Sequence, residues 1–199
     1  MKLLKERILK DGEIITDQIL RVDSFLNHQI DPALIEELAA AFAYKFSDIH
    51  FNKILTVESS GIAPAVMTGL KLSLPVVFAK KNKPSTIIEN AYTSEVHSYT
   101  KNNVYEISVS SKYIHKGDSI LIIDDFIAEG SASRALISIA EQAGAKVAGA
   151  GVVIEKGFQD GGDLIRSMGV RVESLAIIES MSEEGSKIVF AGKKNGHMN

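Results

Sequence analysis

The chain has 199 residues, of which 45% are hydrophobic, and it carries a net charge of -3 and no cysteine. This length and composition suit one domain with a full core, so we expect residues 1–199 to form a single domain. The weak negative charge argues against nucleic acid as the main ligand, and the sequence has no run of about 18 uncharged apolar residues, as a membrane-spanning helix requires. The lack of cysteine excludes disulfides and thiolate metal sites and is compatible with the cytoplasm, where we expect the protein.

Helices and strands are predicted to alternate along the chain. Apolar residues at helical spacing with end caps indicate the helices, and short β-branched apolar runs indicate the strands. In chain order, the predicted elements are a helix starting at Asp31, a strand at 53–57, a helix at 61–72, strands at 75–79, 104–109 and 119–123, a helix at 132–143, a strand at 147–154, a helix at 162–168 and a strand at 170–178. This alternation predicts an α/β fold with a mainly parallel sheet flanked by helices.

Some segments lie outside this alternation. Residues 80–103 are polar and weakly periodic, which predicts a long functional loop. Residues 1–30 and 179–190 contain apolar positions that need something to cover, so we expect them to form a small cap, or hood, beside a core of residues 31–178. Residues 191–199 are expected to form a tail.

The loop after the first predicted strand is a candidate anion site. Glu58, Ser59, Ser60 and Gly61 connect that strand to a helix, so backbone N–H groups and serine hydroxyls are available to an anion. Diphosphate is the anion that we consider. A plain turn with a serine N-cap is the alternative.

Three lysines follow the strand at 75–79. Lys80, Lys81 and Lys83 could neutralise a polyanion with their flexible ammonium groups, and Lys81 is the preferred single residue. A solvated lysine cluster is an equally good interpretation of these residues.

The segment after the strand at 119–123 is the most informative in the chain. Asp124 and Asp125 follow the apolar run, and a small-residue turn then opens a helix whose N–H groups can bind a phosphate. The two carboxylates repel that phosphate, so they need another partner nearby, such as a ribose diol or Mg2+. An acidic pair that merely caps a turn is the alternative. The turn consists of Ala128, Glu129, Gly130, Ser131, Ala132 and Ser133.

A cation and an aromatic ring follow the strand at 147–154. Lys156 and Phe158 are close enough in sequence to contact one ligand, which is the functional interpretation. An exposed lysine beside a core phenylalanine is the alternative.

These motifs together resemble the type I phosphoribosyltransferases. The hydrophobic strand, acidic pair, two variable residues and small-residue turn match that family's signature for phosphoribosyl diphosphate. Over nearly the whole chain the arrangement is similar to the bacterial xanthine phosphoribosyltransferases. The resemblance implies the type I fold with a hood, and transfer of the 5-phosphoribosyl group from phosphoribosyl diphosphate to N9 of xanthine in purine salvage. It also implies a homodimer and Mg2+ carried by the sugar diphosphate, with no metal ligand from the protein itself.

The resemblance assigns a role to each candidate residue. Asp124 and Asp125 would hold the ribose and act in catalysis together with Lys81. The turn of residues 128–133 would bind the 5-phosphate. The remaining assignments are Ser59, Ser60 and Lys81 to the diphosphate, and Leu20, Asn27, Lys156 and Phe158 to the base.

Two positions depart from related enzymes. Hypoxanthine-guanine enzymes place an aspartate where this chain has Ala128, and lack of that base favours a purine that ionises readily, such as xanthine. Glu129 has no assigned role, since a carboxylate beside a phosphate must turn away or act through metal or water. The alternatives are an enzyme for another purine, or a regulator that senses phosphoribosyl diphosphate without catalysis.

Overall fold

A computed structural model describes residues 1–81, 90–98 and 103–192. The predicted alternation of strands and helices is confirmed, and the fold is α/β with a mainly parallel central sheet. The helices are α1 (Lys2–Asp11), α2 (Pro32–Lys45), α3 (Ile62–Leu72), α4 (Ser131–Gln142) and α5 (Gly161–Ser167). The strands are β1 (Glu13–Thr16), β2 (Ile19–Arg21), β3 (Lys53–Val57), β4 (Val76–Lys81), β5 (Ala91–Ser98), β6 (Asn103–Ser110), β7 (Ser119–Ile127), β8 (Lys146–Lys156), β9 (Val172–Ser182) and β10 (Lys187–Phe190).

The main sheet has eight strands in the order β10-β9-β8-β7-β3-β4-β6-β5. The five strands from β9 to β4 run parallel, and antiparallel strands extend the sheet at both sides. The chain leaves β3 toward β4 and leaves β7 in the opposite direction, toward β8. A crevice therefore opens between the carboxyl ends of β3 and β7, where ligands bind in sheets of this type.

Strand β7 is buried on both faces, as its uninterrupted apolar run predicts. Leu121 and Ile123 belong to a core that includes α2 and the N-terminal segment. Ile120 and Ile122 belong to a second core, on the side of α4. The strand that carries the acidic pair is thus held between two packed layers.

Helix α2 begins where the sequence predicts. The Asp31 carboxylate accepts hydrogen bonds from the backbone N–H groups of Ala33 and Leu34, at 3.1 and 3.2 Å, and Pro32 occupies the first turn. Arg7 from α1 also donates to Asp31, at 2.7 Å. Asp31 therefore satisfies backbone N–H groups at the start of α2 and also fixes α1 to α2.

The prediction of one long loop over residues 80–103 is wrong for part of that segment. β4 continues to Lys81, and Ala91–Ser98 forms β5, which pairs along its whole length with β6. Gln142 of α4 donates to the backbone carbonyl of Thr93 at 2.8 Å. Cross-strand pairing and this contact stabilise a strand whose own residues are mostly polar. The rest of the predicted loop, at 82–89 and 99–102, lies outside the described residues.

The N-terminal segment folds beside the sheet. It contains α1, the small β1–β2 sheet and a π-helical turn at Asp23–Asn27, and Phe25 and Leu26 of that turn are buried. Residues 179–190, which we assigned to the hood, instead continue the main sheet through the end of β9 and through β10. The two segments still touch, because the N–H of Glu183 donates to Asp17 at 2.8 Å. No helix among the described residues has the length and apolarity needed to cross a membrane.

Candidate active site

Three neighbouring strands, β3, β7 and β8, present their carboxyl ends at one edge of the sheet. We predicted that this strand ends at residue 123, but β7 runs on to Ile127. β7 pairs with β3 as far as Ile122 and with β8 as far as Ile127. Asp124 and Asp125 therefore lie on a strand that is still paired on the β8 side and open on the β3 side.

A cleft of about 180 Å³ lies at the ends of β3 and β7, and we name it the diacid cleft. It brings together five candidate residues from three distant segments of the sequence, namely Ser59, Ser60, Lys81, Asp124 and Asp125. The Glu58–Ser59 peptide bond is cis. The Glu58 carboxylate accepts a hydrogen bond from the backbone N–H of Lys81 at 2.5 Å. The serine loop and the end of β4 are therefore tied together.

Asp124 is the most perturbed carboxyl group at this cleft. Its side chain is buried, with 3% exposure, and it accepts a hydrogen bond from the backbone N–H of Asp125 at 3.0 Å. Burial raises the pKa of Asp124 well above its usual value, the charge of Asp125 and a side-chain hydrogen bond with it raise the pKa further, and the charge of Lys81 opposes the shift. The ionised form is thus poorly compensated and would gain from any cation or hydroxyl donors placed against it.

Gly61 lets the Asp124 carboxylate lie against the start of α3. A Cβ atom at Gly61 would be 2.3 Å from Thr56 Oγ1 and 2.9 Å from Asp124 Oδ1. Since φ of Gly61 is an ordinary -69°, the glycine is needed here for space.

A second cleft, of about 190 Å³, adjoins the first, and we name it the turn cleft. The two clefts share Tyr105, Phe126 and Ala132. All six residues of the predicted phosphate turn line the turn cleft, from Ala128 to Ser133 and including Glu129. Gly130 has φ of +76° and immediately precedes α4. The first backbone N–H groups of α4 have no acceptor within the helix, and a helix start of this kind can bind an anion without a basic side chain.

Lys156 also lines the turn cleft, at the end of β8. It lies in the strand and is buried, rather than in a loop. Its ammonium group donates to the backbone carbonyl of Gln18 at 2.7 Å and lies 5.9 Å from the centre of the Phe126 ring. Burial lowers the pKa of Lys156 below its usual value. The turn between β1 and β2 therefore reaches over the residue predicted to meet the base.

The other three residues predicted to contact the base do not line either cleft. Leu20 is 7% exposed and belongs to the core beneath the N-terminal segment, and the partly buried Phe158 packs against that core. Asn27 lines a neighbouring groove that shares Ser59 and Ser60 with the diacid cleft. Their roles toward a base stay predictions.

Three polar residues of the clefts were missed by the sequence analysis. His97 comes from β5, Tyr105 from β6, and Gln159 from the loop after β8. Tyr105 faces both clefts, and the Lys81 ammonium group lies 5.5 Å from the centre of its ring. Burial and the charge of Asp124 raise the pKa of Tyr105. The alternation of Tyr105, Ile107 and Val109 predicts a strand, but only the sheet order reveals what its ends face.

Comparison with known proteins identifies the family. A family model described as the phosphoribosyl transferase domain matches residues 22–182. The chain belongs to the phosphoribosyltransferase family. The phosphoribosyltransferase match includes every residue of both clefts and leaves out Leu20.

Relatives and solved phosphoribosyltransferases extend this result. The chain is 54% identical to the xanthine phosphoribosyltransferase of Oceanobacillus iheyensis, covering 92% of this chain and 94% of the relative. It is 50% identical to the xanthine phosphoribosyltransferase of Ligilactobacillus salivarius, covering 98% and 100%. The adenine phosphoribosyltransferase of Giardia lamblia superposes with a TM-score of 0.74 at 18% identity, covering 87% of this chain and 96% of that structure. The last similarity concerns the fold alone.

Proposed function

We propose that this protein transfers the 5-phosphoribosyl group from 5-phosphoribosyl 1-diphosphate to N9 of xanthine, giving xanthosine 5′-monophosphate and diphosphate for purine salvage. The observation that carries the proposal is the meeting of a serine loop, an acidic pair, a helix-opening turn and a buried lysine at the adjoining ends of β3, β7 and β8. The choice of xanthine is supported by relatives that are named xanthine phosphoribosyltransferase and are 50–54% identical over nearly the whole chain.

Each part of the substrate pair has a chemically suited partner. The turn at 128–133 offers backbone N–H groups to the 5-phosphate, and Asp124 and Asp125 accept hydrogen bonds from the ribose hydroxyls. Ser59, Ser60 and Lys81 face the diphosphate. The base would meet Lys156, with Leu20, Asn27 and Phe158 as further predicted contacts.

In the reaction, the bond from the anomeric carbon to the diphosphate oxygen breaks and its electron pair leaves with the diphosphate. The N9 lone pair forms the new bond, and the proton that the base loses passes to solvent water. Positive charge develops at the anomeric carbon, where the carboxylates of Asp124 and Asp125 favour it. Because Asp124 is buried, its field is weakly screened, and orientation and electrostatics supply the rate enhancement.

Mg2+ is expected to enter with the sugar diphosphate. Among the described residues there is no cluster of three His, Cys, Asp or Glu side chains that could hold a metal by itself. Mg2+ keeps several of its waters and binds largely through substrate phosphates, so it needs no such cluster, and Asp124 and Asp125 stay assigned to the ribose hydroxyls. A bound ion would supply positive charge to the departing diphosphate.

The test is a steady-state comparison of xanthine, guanine, hypoxanthine and adenine as acceptors, with phosphoribosyl diphosphate and Mg2+. We expect the highest kcat/KM for xanthine. Adenine as the best acceptor would overturn the choice of base, and tight binding of DNA or RNA without turnover would favour a regulator instead.

The base preference has its own test in Ala128→Asp. This change adds the carboxylate that hypoxanthine-guanine enzymes have at that position, so kcat/KM for hypoxanthine relative to xanthine is expected to rise. An unchanged ratio would reject the link between Ala128 and base choice.

A homodimer and a cytoplasmic location also belong to the proposal, with small molecules as substrates and neither nucleic acid nor membrane as a partner. They follow from the resemblance to the xanthine enzymes.

A further inference from the structure

The anion-binding turn is packed from behind by the first residues of α5. The backbone N–H of Gly161 donates to the carbonyl of Ala128 at 2.9 Å. A Cβ atom at Gly161 would be 2.3 Å from that carbonyl oxygen and 2.4 Å from the backbone nitrogen of Gly130. The turn and α5 are therefore in backbone contact, and the shape of the turn depends on where α5 lies.

A half-buried ion pair joins α5 to the end of β8. Glu155, at the end of β8, is only 4% exposed, and Arg166 of α5 donates to both of its carboxylate oxygens, at 2.8 and 2.7 Å. Ser174 of β9 donates to the same carboxylate. A Cβ atom at Gly162 would be 2.1 Å from Glu155 Oε1, so the first turn of α5 rests directly on this carboxylate. A bidentate pair of this kind fixes orientation as well as distance.

Glu155 and Lys156 are consecutive residues of β8, so their side chains point to opposite faces of the sheet. Glu155 reaches Arg166 and α5, whereas Lys156 reaches Gln18 in the N-terminal segment. The end of one strand therefore supports the turn on one face and presents the lysine on the other.

We infer that the Glu155–Arg166 pair is a positioning device for the phosphate of the substrate. It holds α5 against the turn, and Gly161 transmits that position to the backbone N–H groups that face the anion. The inference rests on the proposed function, in which this turn binds the 5-phosphate. Neither Glu155 nor Arg166 lines the diacid cleft or the turn cleft, so both act through the backbone that they hold.

The test uses Arg166→Lys, which keeps the positive charge but loses the bidentate fork. We expect the KM for phosphoribosyl diphosphate and the dissociation constant of ribose 5-phosphate, measured by calorimetry, to rise about tenfold. The KM for xanthine is expected to change by less than about twofold. Equal changes in both KM values, or no change in the KM for phosphoribosyl diphosphate, would overturn the inference.

Arg171→Lys is the matched control. Arg171 also pairs with carboxylates, donating to Asp48 at 2.8 Å and to Glu173 at 3.0 Å, but it lies just before β9, at the opposite edge of the sheet from the clefts. Both KM values are expected to stay within about twofold of those of the unsubstituted protein. If Arg166→Lys does not fold, Ser174→Ala removes only one donor to Glu155 and should shift the same KM in the same direction; an unshifted KM would overturn the inference.

Gly161→Ala tests the route. Its methyl group would push directly on the turn, so the KM for phosphoribosyl diphosphate should rise, and adding Arg166→Lys should raise it little more. Fully multiplicative effects would mean that the pair does not act through Gly161. Failure of the unsubstituted protein to turn over phosphoribosyl diphosphate and xanthine would refute the proposed function itself, whereas normal turnover with an unaltered Arg166→Lys variant refutes only the positioning role.

Discussion

Substitution of Gly61 by alanine should lower kcat, because the added methyl group would clash with the side chains of Thr56 and Asp124. The added methyl would be 2.3 Å from Thr56 Oγ1, and an ordinary contact begins near 3.4 Å, so these atoms must separate by 1.1 Å, the difference of the two distances. For Asp124 Oδ1, at 2.9 Å, the required shift is 0.5 Å by the same difference. Thr56 is completely buried and β-branched, so it gives way with difficulty.

These displacements set the expected magnitudes. Overpacking of a core costs about 1–3 kcal/mol, so the free energy of unfolding should fall by that amount. A misplacement of about 1 Å can cost about 100-fold in rate, and half that shift at Asp124 corresponds to roughly tenfold if the loss scales with distance. Since the φ of Gly61 suits any residue, no backbone penalty contributes.

The assays are kcat with saturating substrates and urea unfolding, and Gly185→Ala is the matched control. Gly185 lies between β9 and β10, and a Cβ atom there would meet only Lys187, at an ordinary 3.8 Å. The control should keep the kcat and unfolding midpoint of the unsubstituted protein. If Gly61→Ala also keeps the kcat and the unfolding midpoint, the close approach of Asp124 to α3 affects neither catalysis nor stability, and the reasoning fails.

Three other substitutions separate charge, base binding and stability. Asp124→Asn should lower kcat by about 100-fold or more. Because the pKa of Asp124 is raised, the unsubstituted protein loses stability as pH rises from 3.8 to that pKa, and the variant should become relatively more stable over this range. Urea unfolding at several pH values will detect the difference. Lys156→Met should raise the KM for xanthine by about 10–100-fold with little change in the KM for phosphoribosyl diphosphate. Because the pKa of Lys156 is lowered, the unsubstituted protein should gain stability as pH rises from that pKa toward 10.5, and the variant should lack this gain. Asp31→Ala should lower the thermal midpoint by about 2–4 °C without changing either KM, because it removes the cap of α2 and Asp31 lines neither cleft; an altered KM would contradict this.

The local patterns that rest on burial could be predicted from the sequence. The run from Ile120 to Ile123 in β7 is apolar at every position, as a strand covered on both faces requires, and its Leu121 and Ile122 belong to different cores. The cap at Asp31 and the opening of α4 after Gly130 follow equally local rules. These features depend on neighbours in sequence, and the sequence contains those neighbours.

Features that depend on partners distant in sequence were missed. β5 is polar, and its stability comes from pairing with β6 and from the contact of Gln142 with Thr93, neither of which leaves a periodic apolar signal. The extension of β7 past residue 123 depends on β8, which is longer than β3.

The unequal partners of β7 have a consequence for the order of events at the site. On the β8 side, strand pairing continues past the acidic pair to Ile127. On the β3 side, strand pairing ends at Ile122. Asp124 and Asp125 therefore line the diacid cleft on a backbone that pairing with β8 already holds in place before any ligand arrives. Such preorganisation means that the charges need not be gathered during the reaction, so the free energy of substrate binding is not consumed in ordering them.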